Sequence, residues 1–87
     1  MNYQELPMPK LRTLSAKKIV SIFESLGFYV VKNKGGHIKL TRVSFLGKQV
    51  LTIPNHKELD KGTLVAIFNQ AKRFVPEEEL VRYFYTD

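Results

Sequence analysis

Between Phe28 and Pro54 the chain has room for only one arrangement, an antiparallel meander. Three strand-like runs, Phe28 to Asn33, His37 to Val43 and Gln49 to Ile53, are separated only by Lys34-Gly35-Gly36 and by a turn from Ser44 to Gly47. A parallel pair needs a crossover of about a dozen residues or more, so hairpins must join these strands. Gly35 and Gly36 remove the Cβ penalty on φ > 0 that a tight hairpin imposes, and Pro54, which has no N–H to give to a ladder, ends the third run. In the second run Ile38 and Leu40 point one way and His37, Lys39 and Thr41 the other. Arg42 shares the apolar parity and is expected at the fraying end of the strand. The first run shows no alternation, because Phe28, Tyr29, Val30 and Val31 are all apolar, and its facing stays open.

Helical patterns flank the meander. Ala16, Ile19, Val20, Phe23 and Leu26 form one apolar stripe, capped by Ser15 or, if the helix starts earlier, by Thr13, and stopped by Gly27. Leu64, Ile67, Phe68 and Ala71 repeat the spacing behind a possible cap at Asp60, with Lys72 and Arg73 in the last turn. Val75-Pro76 breaks the chain before a short helix that is expected to take Pro76 as its first position, with Glu77, Glu78 and Glu79 at its positive end and Leu80, Val81 and Phe84 on its apolar side. The expected fold is therefore α+β: helix, three-stranded antiparallel sheet, helix, then a short C-terminal helix. Two amphipathic helices cover only one face of such a sheet, which leaves His37, Lys39 and Thr41 on the open one. The whole chain, 1–87, is expected to be a single domain, with 1–10 as an extended N-terminal arm containing Pro7 and Pro9.

Charge separates the two halves. From Lys10 to Lys48 nine basic residues meet a single acid, Glu24, whereas from Gln49 to Asp87 five basic residues meet six acids. The net charge of +6 therefore belongs to the first half, and such a field attracts a polyanion, although lysines also serve solubility. Lys17 and Lys18 sit in the first turn of the first helix, against the preference of its dipole, and so hint at an anionic partner. The chain has no cysteine, which rules out disulfides and thiolate metal sites and fits a reducing compartment. No apolar run approaches the ~18 residues of a membrane helix and Met1 to Lys10 lacks a signal-peptide core, so the cytoplasm is the expected location and no membrane partner is expected.

The motifs exclude the commoner enzyme templates. Gly35-Gly36 has neither the spacing nor the following helix of a phosphate loop, the serines lie in no hydrolase elbow, and His37 and His56 stand far apart with no carboxylate near His37 in sequence. Neither a metal nor another cofactor is expected. His37 is left. On position alone it is an ordinary surface residue of a strand, but an imidazole titrates near neutrality and can move a proton during phosphodiester cleavage. The N–H groups of the glycine turn can hold a phosphate beside it, with Lys32, Lys34 and Lys39 as the nearest cations. In RNA the 2′-OH is a built-in nucleophile, so one base and cationic stabilisation can suffice. His56 is a possible second proton-transfer group, although a turn histidine bonding local backbone is the simpler reading.

Several short motifs occur in order: Leu14-Ser15 before the first helix, Gly27-Phe28 at its end, Lys34-Gly35-Gly36-His37 at the hairpin, Ile53-Pro54-Asn55-His56 after the third strand and Lys61-Gly62-Thr63-Leu64 opening the second helix. Together they resemble the HicA toxins, small mRNA-cleaving partners of type II toxin–antitoxin pairs, over about Leu11 to Phe84. The resemblance implies a double-stranded-RNA-binding-domain-like fold, a ribonuclease whose catalytic histidine is His37, and a HicB antitoxin that covers its face. It also sharpens the choice between a nuclease and two other readings, a non-catalytic RNA-binding module and a domain that docks an acidic protein. One departure is Gly36, where many members carry serine, so a hydroxyl contact from that position is missing. The arm Met1 to Lys10 is also longer than the family's compact start.

Overall fold

The computed structural model describes residues 9–86. The expected N-terminal arm lies outside the described residues apart from Pro9 and Lys10. The elements run β1 (Lys10–Leu11), α1 (Ala16–Ser25), β2 (Tyr29–Lys34), β3 (His37–Ser44), β4 (Gly47–Pro54), α2 (Lys61–Ala71), α3 (Glu77–Phe84) and β5 (Tyr85–Thr86). Strands β2, β3 and β4 form the antiparallel meander with β3 in the centre. The expected α-β-β-β-α order with a short C-terminal helix is therefore present.

The helix ends follow local chemistry. Ser15 Oγ accepts from Lys18 N at the start of α1, and Asp60 Oδ1 accepts from Thr63 N at the start of α2. At the other end of α1, Gly27 N donates to Glu24 O and Phe28 N to Phe23 O, a Schellman closure that uses the positive φ of Gly27, 94°. The Phe23 and Phe28 rings then meet edge to face, 5.7 Å between centroids. Helix α2 ends at Ala71, so Lys72 and Arg73 lie just beyond it rather than in its last turn, and Lys72 pairs with Glu77 at the start of α3. Pro76 is the residue before α3 rather than its first position.

One face of the meander is sealed. Ile38, Leu40, Leu51 and Ile53 are buried with Ile19 and Phe23 of α1, Leu64 and Phe68 of α2, and Leu80 and Phe84 of α3. Tilted and edge-to-face contacts among the rings of Phe23, Phe84, Phe68 and Tyr85 link α1 to the C-terminal segment. A further feature has no periodic signature in the sequence: β1 pairs with β5, and Arg12 donates to Phe84 O from its backbone and to Tyr83 O from its side chain. The start of the described chain is thereby tied to its end.

Arg42 corrects an expectation. It does not fray with the end of β3 but reaches across the core-side face. Its Nε donates to Gln49 Oε1 (2.8 Å), Nη1 to Leu26 O (2.7 Å) and Nη2 to Phe74 O (2.9 Å), and its guanidinium lies 4.6 Å from the centre of the Phe28 ring. One rigid fork therefore joins the end of α1, strand β4 and the segment between α2 and α3.

Candidate functional site

The β2–β3 hairpin turns through Gly35 and Gly36, with φ of 64° and 78°, while Lys34 and His37 face each other as the last registered pair. Positive φ at both central residues defines a type I′ turn, whose twist matches that of the flanking strands. A Cβ on either glycine would meet nothing within 4 Å, so the glycines are needed for conformation and the space above them is open. The turn also fixes the imidazole. His37 Nδ1 lies 3.2 Å from Gly35 O, and because a carbonyl only accepts, this contact is a hydrogen bond in the tautomer that carries its hydrogen on Nδ1. In that tautomer Nε2 is the accepting nitrogen, and the side chain is exposed.

The register decides what shares that surface. Residues directly opposite in an antiparallel pair present their side chains on the same face. Lys34 lies opposite His37, Lys32 opposite Lys39, and Tyr29 opposite Thr41. This alignment holds only because the ladder is irregular between Val30 and Lys32, where one residue of β2 bulges out. Without the bulge, Tyr29 and Lys32 could not occupy the same face. The bulge also explains why the first strand gave no legible alternation. From β4 the same face receives Lys48, Val50, Thr52 and Pro54. Neither Asp nor Glu occurs among these positions.

Thr41 corrects the expected surface. It has the predicted parity but is only 1% exposed, and its hydroxyl donates to Gln49 O at 3.0 Å. As a small residue on the central strand, flanked by Tyr29 and Val50 in register, it is enclosed from both sides. It is therefore not an open contact for a ligand. Lys32, Lys34, Gly35, Gly36 and Lys39 are exposed. The ion pair found among the described residues is Lys72 with Glu77, at 3.2 Å, so Lys32, Lys34 and Lys39 are not neutralised within them.

His56 reaches the same end of the molecule by a different route. Asn55 N donates to Gly36 O (2.8 Å), which fastens the segment after β4 to the glycine turn. The His56 backbone donates to Pro54 O and accepts from Ala16 N, both at 3.0 Å, and so anchors the start of α1 beside that segment. Its side chain lines a concavity of about 430 Å³ with Ser15, Lys17, Asn55 and Lys57. Lys17 and Asn55 also border a larger groove of about 530 Å³ between α1 and β2. Lys17 and Lys18 are exposed in the first turn of α1, at this end of the fold. Sequence reasoning missed Asn55, whose role is a backbone bond, and Tyr29, whose facing depends on the bulge. Among the described residues no group of three His, Cys, Asp or Glu side chains is placed to hold a metal ion.

Among the described residues, then, the protein is a small α+β domain whose one sheet face carries lysines, an exposed imidazole and no acid. The chain belongs to the HicA toxin family: the family model described as the HicA toxin of bacterial toxin–antitoxin systems matches residues 16–72, from the start of α1 to just past α2. It is thus the toxin member of such a system, and membership implies an antitoxin partner. No curated protein and no solved structure matches the chain. No helix among the described residues is long and apolar enough to cross a membrane.

Proposed function

We propose that this toxin is an endoribonuclease of mRNA that uses His37 as its general acid or base and needs no metal. The observation that carries the reading is the register that puts an exposed His37, its Nδ1 against Gly35 O, on one sheet face with Lys34, Lys32 and Lys39. A phosphate over the glycine turn would meet open space, backbone N–H groups and lysine charge. Nε2 would take the proton of the 2′-OH, the 2′ oxygen would bond to phosphorus, and the bond from phosphorus to the 5′ oxygen would break. The leaving oxygen takes a proton from the imidazolium so formed or from water. The products would be a 2′,3′-cyclic phosphate and a 5′-hydroxyl end. Lys17 and Lys18 would meet flanking phosphates at the same end of the fold, where His56 is the candidate second proton-transfer group. The implied inhibitor is a HicB-type antitoxin that covers the His37 face, and the whole chain would work as one domain in the cytoplasm.

His37→Ala should lower RNA cleavage by about 10²- to 10⁴-fold, the usual range for a general acid–base group. It should also abolish growth arrest on induced expression while leaving the far-UV circular dichroism and the melting curve unchanged, since the side chain is exposed. Undiminished cleavage by the purified variant would remove the catalytic assignment. Intact RNA with both proteins, combined with salt-dependent binding, would instead favour a non-catalytic RNA-binding module.

A further inference from the structure

The lysine-bearing face is not polar throughout. Beyond the row of Lys32 and Lys39 it changes to Tyr29, Thr41 and Val50, and Val43 follows. Tyr29 is 53% exposed and Val43 68% exposed, on a sheet face that no described helix covers. Because Thr41 is buried at the level of its neighbours, this row forms a shallow apolar shelf with an aromatic ring at its edge. Same-face rows on a strand are about 7 Å apart, which puts the shelf about 7 Å beyond the Lys32–Lys39 row and about 14 Å from the His37 row.

We propose that Tyr29 is a stacking platform for a base of single-stranded RNA whose neighbouring phosphates lie on Lys32, Lys39 and the Gly35-Gly36 turn. The inference rests on the reading of this face as an RNA surface. Alternation of cations with an aromatic ring is the arrangement by which proteins bind single strands, because the backbone supplies charge and every base offers a π-face. A duplex keeps its bases stacked inside and would leave the shelf uncovered. A protein partner is the occupant that the test below separates from RNA; with no acid on this face among the described residues, an aromatic ring set beside lysines is the pattern that suits a strand of bases and phosphates.

The test uses the full chain and a labelled single-stranded octamer carrying 2′-O-methyl groups, which lacks the nucleophile and stays whole whether or not His37 is catalytic. Tyr29→Ala should weaken binding about 5- to 100-fold, whereas Tyr29→Phe, which keeps the ring, should bind within about twofold of the parent. The slope of log affinity against log salt should be the same for all three, because the phosphate contacts remain. An octamer made abasic at each position in turn should contain one site at which the parent binds no better than Tyr29→Ala. Three results would overturn the proposal: equal binding by Tyr29→Ala, an equal loss of abasic and intact strands, or a loss confined to the antitoxin with RNA binding unchanged. Failure of cleavage at His37 would leave this binding result standing, and loss of the Tyr29 effect would leave the cleavage result standing.

Discussion

Replacing Arg42 should cost more stability than any other charged substitution on the sheet. Its guanidinium makes three hydrogen bonds, to Gln49 Oε1, Leu26 O and Phe74 O, and lies over the Phe28 ring. Leu26 caps the C-terminal end of α1, where carbonyls have no intrahelical partner, and the arginine supplies one. Arg42→Met keeps much of the aliphatic stem but strands two partly buried carbonyls. A hydrogen bond to a charged group contributes roughly 1.5 to 3 kcal/mol, and a half-exposed cation–π contact about 0.5 to 1. Gln49 can turn to water and the carbonyls are not sealed from solvent, so the sum must be discounted to about 3 kcal/mol. At roughly 4 to 8 °C per kcal/mol for a domain of this size, the melting temperature should fall by about 12 to 24 °C. Arg42→Lys retains the charge but loses the fork, and should give about half that shift. Thermal melts followed by far-UV circular dichroism, with urea melts of unchanged slope, would measure the effect. A variant Arg42→Met that melts within about 4 °C of the parent would refute the reasoning.

The remaining expectations concern the second helix. Gln70 Oε1 accepts from Thr52 N (3.0 Å) and its Nε2 donates to Thr52 O (3.4 Å), so a side-chain amide takes the place of a neighbouring strand at the edge of β4. Gln70→Leu should lower stability by about 1 kcal/mol and raise concentration-dependent light scattering, and equal scattering would count against edge protection. The backbone N–H of Thr63, then its hydroxyl, with a smaller contribution from the His56 imidazole, holds the Asp60 carboxyl below its usual value of 3.8. A folded pKa below the unfolded one stabilises above the unfolded value, and that contribution disappears as pH falls through the folded value. Melting temperature recorded between about pH 2 and 6 should therefore fall less steeply on the acid side for Asp60→Asn, which keeps a capping oxygen but does not titrate.

What the sequence revealed and what it hid divide along the range of the interactions. Ser15, Asp60 and Gly35-Gly36 act on residues within a few positions of themselves, so caps and turns were legible, and with them the order of the elements. The pairing of β1 with β5 joins the two ends of the described chain through two residues each, too few to show a period. Arg42 depends on Leu26 and Phe74, sixteen positions before it and thirty-two after, and no local pattern encodes such partners. Parity placed Thr41 on the correct face but could not report burial, because enclosure depends on the strands to either side. The bulge of β2 hid most, since a single extra residue reverses every later side chain and removed Tyr29 from view.

That bulge also bears on why the lysine face exists at all. Lys32 and Lys39 are direct cross-strand partners, an arrangement that destabilises a sheet by some tenths of a kcal/mol, and no described acid offsets it. A fold selected only for stability would place a carboxylate or a threonine at one of the two positions. The protein instead secures its stability on the other face, through the buried apolar cluster and the fork of Arg42, and keeps unfavourable charge beside His37. The repulsion disappears when a phosphate, or an acidic group of the antitoxin, lies between the two lysines. Under the proposed function, one arrangement would therefore serve substrate and inhibitor alike, and the two would compete for this surface.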